Sequence, residues 1–406
     1  TDVLRQVQRN YQHILHETIV PFESMRDKLG LDQDELRISL ANMQRFLHDL
    51  NSMASFADLA LAHLEGSQRQ EGNGLARNNG ASESDYKGDG IVHLSHSEEI
   101  GRLVDQAEPE HSVRAAYGGK GSGLIYISYL GLPTPDGFIV PTAVARRRAR
   151  EDDDIWLEDV VRRHLAVLET DVSTSQGGGR RFGDPDRPLL LAVRAGSVFS
   201  MPGILSTVLF VGMNDAVVEA LAAEEPWHAY DSYRRFLASY GQEVWGIDIE
   251  RYNLVEQAKT RHGVKYKDAL GWEAMREIVE GTKEVIRDAG FGDALDEILR
   301  DPFRQLLAAV RAVLDSWDDQ TARQYRRLKG ICDNWQSAAI VQEMVSGNRQ
   351  NEPAREGMDE TRVSLTGVVP RTDVTEWGTR KCTGEFKFSA CGEDLVGGLT
   401  TSVSFL

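Results

Sequence analysis

The chain has 406 residues, 41% of them hydrophobic and 27% charged, which is the balance of a folded protein with room for two or three domains and excludes disorder along its whole length. Its formal net charge of −17 sets up a field that repels nucleic-acid phosphates and anionic lipid, so a phosphate-bearing ligand has to be met by a local basic cluster, with no nucleic acid and no membrane expected as partners. The three cysteines, Cys332, Cys382 and Cys391, show neither CxxC spacing nor an even framework, which argues against structural metal and disulfides and for a reducing cytoplasm.

In chain order, residues 1–64 carry apolar side chains at helical spacing, as at Leu36, Leu40, Met43, Leu47 and Leu50, and predict an N-terminal helical region. Residues 65–111 are expected to form a linker or long loop, because 65–90 is almost bare of apolar residues. From 112 to 406 the texture is mixed α/β. The run AYGGKGSGL opens a helix reaching Leu130, GLPTPDGFIV turns into a strand, and PLLLAVRAGS holds another at Leu189 to Arg194. A mostly helical stretch follows from Asp215 to about Lys329, before β patterns return in AAIVQEMV, VSLTGVV and GEFKFSAC. No N-terminal leader pattern and no bilayer-length apolar run is present, and the start at Thr1 and stop at Leu406 suggest a fragment or processed product of a longer chain.

Four groups of residues have the chemistry of a nucleotide site. Gly118, Gly119, Gly121 and Gly123 let backbone approach a polyphosphate at a helix start while Lys120 adds a point charge, although a tight turn alone explains the same glycines. Arg194 ends an apolar strand, where α/β proteins present ligands, or it simply pairs with a surface acid. Val341 to Val345 alternate in a way that suits either a slot for a purine or a half-buried strand with Gln342 outward. Glu385 and Glu393 place carboxylates on a strand and its following turn, suited to Mg2+ or to plain solvation.

Taken in order, YGGKGSGLIYISYLGLPTPDGFIV, PLLLAVRAGSVFSMPGILSTVLFVGMND, YRRFLASYGQEVWGID, AVRAVLDSWDDQTARQYRRL, AAIVQEMVSGN and GEFKFSACGEDLVGG resemble the N-terminal nucleotide-binding domain of the pyruvate phosphate dikinase and phosphoenolpyruvate synthase family. The resemblance implies an α/β (α+β) ATP-grasp fold of several lobes that holds ATP and Mg2+ and phosphorylates a histidine on a separate swivelling domain, in cis or in trans. It places Lys120 and Arg194 on the phosphates, Gln342, Met344 and Val345 on the adenine side, and Glu385 and Glu393 on the metal. The sequence departs from the family pattern at Cys391, Val198 and Thr379, where the last has Glu376 as a neighbouring substitute, and at Pro370, Arg371 and Thr372. Those departures support a second expectation, a nucleotide-sensing module without turnover, and a third is a kinase of another small acceptor. None of the ten histidines sits in a phosphocarrier motif; His13, His16, His93 and His96 are expected to be solvated or on helix faces.

Overall fold

The computed structural model describes residues 89–106, 111–151, 154–175, 179–201, 203–331 and 333–345, together with backbone strands at 365–366, 371–374, 380–388 and 403–405. The expected helices of 1–64, most of the expected linker, and Glu376, Thr379, Cys391 and Glu393 lie outside the described residues.

Five strands form one antiparallel sheet. In chain order they are β1 (Val92–His93), β2 (Gly137–Val140), β5 (Leu191–Gly196), β6 (Thr207–Val211) and β7 (Ala338–Glu343), and in space they run β1-β2-β7-β5-β6. A separate parallel pair joins β3 (Arg181–Phe182) to β4 (Pro188–Leu189). Among the C-terminal strands, β10 (Arg380–Phe388) pairs antiparallel with β8 (Leu365–Thr366), β9 (Arg371–Val374) and β11 (Val403–Phe405).

The period-two alternation of a strand sorts the two central strands onto two cores. Phe138, Val140, Ala339 and Val341 enter the larger core, whereas Ile139, Ala338 and Ile340 enter a smaller one with Val113, Tyr117 and Ile125. The smaller core is closed by α1 (Ser97–Gln106) and α2 (His111–Tyr129). On the larger face, α10 (Pro302–Asp315) lies across β5, β6 and β7, while α4 (Asp154–Ser175), which follows α3 (Thr142–Glu151), packs on β2 and α10.

The helical stretch expected between Asp215 and Lys329 is present as α5 (Asp215–Ala222), α6 (Pro226–Trp245), α7 (Leu254–His262), α8 (Trp272–Ile286), α9 (Gly292–Arg300), α10 and α11 (Gln320–Lys329). Its boundaries follow local chemistry. Asn214 caps α5 by accepting from Val217 N, Asp301 caps α10 ahead of Pro302, and glycines with positive φ, Gly246, Gly263 and Gly330, end α6, α7 and α11. On α6, Asp231 is buried and takes hydrogen bonds from Arg234, Arg235 and Lys267 at 2.7, 2.9 and 2.8 Å. The segment SWDDQTARQYRRL earns its unusual composition inside the fold. Arg326 is fully buried, its guanidinium 4.3 Å over the Trp317 ring, and it donates to the carbonyl of Trp317 and to Asp333 Oδ1.

One expectation needs correction. Part of the segment assigned to a linker, 65–111, is built into the sheet: Val92 pairs with Ile139, and Ile91, Val92, Leu94 and Ile100 are all buried. The strand has two residues, too few to leave an alternation, and the few apolar side chains of a polar segment carry most of the signal. His93 is also 3% exposed, so it is a core histidine and not a solvated one.

Among the described residues, no helix is long and apolar enough to cross a membrane.

Candidate nucleotide site

The glycine run lies within α2 but divides it. Gly118 has φ 71° and ψ 174°, a conformation essentially reserved for glycine, and the chain on either side of it is helical. The break lets the backbone press against the end of β5: Gly119 N donates to Ser197 O at 2.9 Å, and a Cβ on Gly118 would run into the carbonyl of Gly196. Gly121 is similarly close to Tyr117 and Ile139, with 3.2 and 3.3 Å left for a Cβ, whereas Gly123 has open space. Close packing therefore accounts for Gly118 and Gly121 without a ligand, whereas a Cβ on Gly119 would meet only ordinary contacts, the nearest at 3.5 Å. Lys120, in the first turn after the break, is exposed. Gly118→Ala is expected to lower unfolding free energy by about 2 kcal/mol from backbone strain alone, with the clash adding to it, as read by urea denaturation.

Arg194 comes to the same face of the sheet. Its register partner on β7 is Ile340, which belongs to the core under α2, and Gln342 two residues further on shares that face. The two side chains meet diagonally: Arg194 Nη2 donates to Gln342 Oε1, and Gln342 Nε2 donates to Pro135 O at 3.0 Å. Gln342 is 4% exposed. Both ends of its amide are engaged within the protein, so it orients the arginine, and the alternative of a half-buried strand with Gln342 outward does not hold.

The next residue, Glu343, alternates to the opposite side. Its carboxylate is buried and paired with Arg180 at 2.5 Å. Met344 bridges the neighbouring strands, with its Sδ accepting from Phe210 N at 3.1 Å and its N donating to Leu190 O at 2.9 Å, and Val345 is exposed just beyond. Glu385 is on β10 opposite Ser404 in the backbone register.

The structure thus brings Gly118, Gly119, Lys120, Gly121, Arg194 and Gln342 to one face of the sheet. One charged group escaped the sequence reading. Arg114, one turn before Gly118, donates from Nη2 to Val198 O at 3.2 Å, placing a guanidinium at the loop after Arg194. Val198 is itself 1% exposed, so this position, one of the departures from the resemblance, is here part of the core. The spacing of Arg114 and Gly118 on a helix was available in the sequence; the partner loop 84 residues away was not.

An antiparallel sheet covered by helices, with glycine-bounded basic residues gathered on one face, is the frame of an α/β nucleotide-binding domain. The chain belongs to the family of the pyruvate phosphate dikinase AMP/ATP-binding domain, whose family model matches residues 114–405. It is 34% identical over 299 residues to a pyruvate, phosphate dikinase of Clostridium symbiosum, covering 72% of this chain and 32% of that protein. A pyruvate, phosphate dikinase of Rhizobium meliloti is 36% identical over 306 residues, covering 73% of this chain and 31% of that protein. The chloroplastic enzyme of Mesembryanthemum crystallinum is 35% identical over 300 residues, covering 73% and 29% respectively. The matched part is thus about a third of the length of these relatives.

Proposed function

We propose that residues 112–406 form an ATP-grasp-type module that binds Mg-ATP, cleaves it and phosphorylates a histidine on another domain or subunit, as the first step of a dikinase-type reaction in a reducing, cytoplasm-like compartment. The observation that carries the reading is Arg194, held by Gln342 on the face where Lys120 begins a helical segment. Phosphoryl transfer relies on positioning and on neutralising spread charge, and a guanidinium held on a rigid strand with a lysine point charge on the same face suits it. Lys120 is exposed and would meet the phosphates as a point charge; Arg194 would meet them in a fixed orientation. Arg114 adds a third positive charge at the Val198 loop. Met344 and Val345 would flank the adenine. Mg2+ would add charge neutralisation between phosphate oxygens, and Glu385 and Glu393 are the acids proposed to hold it.

Calorimetry of Mg-ATP and of Mg-AMP against the parent chain and Lys120→Ala tests this reading, followed by AMP release in the presence of a histidine phosphocarrier domain. Loss of a charge-assisted contact of about 1.5–3 kcal/mol should weaken Mg-ATP binding by tenfold or more in the variant. A Lys120→Ala chain that binds Mg-ATP and supports phosphate exchange as well as the parent would sink the proposal.

The buried Val198 favours a second reading, in which the module senses nucleotide without turnover. AMP formation by the native chain with a carrier rejects that alternative.

A further inference from the structure

A second constellation sits at the edge of the sheet, where β1 and the turn into α1 face α4. His93 is on β1 and His96 in the turn; His164 and Asp171 are on α4, seven residues apart and therefore on one helical face. His96 Nε2 is 3.1 Å from Asp171 Oδ2, and His93 Nδ1 is 3.7 Å from the same oxygen. One nitrogen from each histidine and one carboxylate oxygen lie within 4.8 Å of one another. A four-coordinate zinc-type ion with bonds of about 2.0–2.1 Å holds its ligand atoms about 3.4 Å apart, so modest side-chain rotations complete the triangle.

The hydrogen bonds behind the triangle decide which atoms face it. His164 Nε2 is 3.2 Å from Asp89 Oδ2, and His164 Nδ1 is 2.8 Å from His93 Nε2. A carboxylate only accepts, so His164 carries its proton on Nε2. In a neutral His164 ring, Nδ1 then accepts from His93 Nε2–H, and the lone pair of His93 Nδ1 is turned toward Asp171. An imidazole lone pair and a carboxylate facing one another, with His96 as a third donor, suit a cation between them. Ser95 Oγ donates to Asp171 Oδ2 at 2.7 Å and steadies the carboxylate. The carboxylate–histidine–histidine series from Asp89 to His93 is the kind of outer support that fixes a ligating imidazole.

We propose that His93, His96 and Asp171 bind a first-row divalent transition-metal ion of the zinc class, with water at the open position. Two imidazoles favour such an ion over Mg2+, which takes oxygen ligands. His93 is buried, while His96 and Asp171 are partly exposed and give the ion an entry side. The bound ion ties β1 and the start of α1 to α4, and this site is independent of the proposed nucleotide chemistry.

The test uses the whole chain stripped with a chelator and dialysed, then titrated with Zn2+ by calorimetry and with Co2+ by visible absorption. His96→Ala, Asp171→Asn and Asp89→Asn are run alongside, with circular dichroism and Mg-ATP binding as checks of folding. The expected result is one ion per chain, the intense visible bands of four-coordinate Co2+, and a rise in Tm with Zn2+. Affinity should fall at least tenfold in His96→Ala and Asp171→Asn and about tenfold in Asp89→Asn, the range seen when outer-shell support is removed. Absence of saturable one-to-one uptake by the parent, or uptake unchanged in both folded ligand variants, overturns the proposal. So does a parent that takes up no ion and whose Tm follows only the pH of the histidine range, because the triangle then holds a proton.

Discussion

Arg194→Met is expected to weaken Mg-ATP binding by tenfold or more, from the loss of charge-assisted hydrogen bonds worth about 1.5–3 kcal/mol. It should slow ATP cleavage about 10²–10³-fold, as removal of one preorganised electrostatic group does. The larger effect on rate follows from rigidity. Arg194 is on a strand paired on both sides, by β6 and β7, and Gln342, itself anchored on Pro135 O, receives one arm of its guanidinium. A group already held in place needs little reorganisation as charge develops, so its value concentrates in the transition state. Gln342→Leu separates positioning from charge: the guanidinium remains but its support goes, and kcat should fall more than affinity. Arg194→Lys keeps the charge without the planar fork and should recover binding better than rate. Calorimetry paired with single-turnover AMP release reads all three. An Arg194→Met chain with the affinity and rate of the parent would remove Arg194 from the site.

Asp231→Asn is expected to lower stability at neutral pH by about 4 kcal/mol, the scale for breaking a buried ion pair from one side. The carboxylate is 5% exposed and serves Arg234, Arg235 and Lys267 together. Without its charge, three cations crowd a partly buried site with nothing to offset their repulsion. Burial by itself would raise the carboxyl, but Arg234, Arg235 and Lys267 outweigh it and hold Asp231 well below the ordinary carboxylate range. The sign of the pH dependence follows. An acid depressed in the folded state contributes fully above its unfolded value of about 3.9 and loses that contribution as pH falls toward the folded value. Parent and variant should therefore differ by a constant amount above about pH 5 and converge at strongly acidic pH. Urea unfolding across pH 2–8 reads the difference, and curves that coincide at pH 7 would count against it. Asp89 and Asp215 add to the same acid limb. Burial opposes the shift in each, yet His164 and the Ile91 amide hold Asp89 low, and Lys283 and Tyr233 hold Asp215 low.

Strands with dense apolar runs were legible in the sequence: GFIV, LLLAVR and AAIVQE are β2, β5 and β7 with small shifts at their ends. Lys120 and Arg194 were singled out together because the order of the family segments carried them, and the structure puts the helix of the one and the strand of the other on the same face of the sheet. What the sequence withheld was pairing across distance. Arg194 and Gln342 are separated by 148 residues and meet only because β5 and β7 align in one register. Without that register, Gln342 reads as the outward residue of a half-buried strand, and the buried pairing of Glu343 with Arg180 is not legible at all. The glycine run shows the reverse limit. Its composition signals close approach, but whether phosphate or protein does the approaching depended on where Gly196 lies, and protein accounts for most of it. His93 and His96 are close in sequence, yet His164, Asp171 and Asp89 join them only through the fold.

The central position of β7 has a consequence for biosynthesis. The strand that joins β2 to β5 is the last of the five to be made, after more than a hundred residues of helix. Until residue 343 has left the ribosome, β1–β2 and β5–β6 are two separate strand pairs whose inner edges present unpaired amides and carbonyls. The helices can form early from local contacts, but the sheet, and with it the Arg194 to Gln342 contact, must wait for a distant strand. A nascent chain paused in the helical block is therefore at its most prone to edge-to-edge association, and a truncation placed before Ala338 would make that exposure permanent.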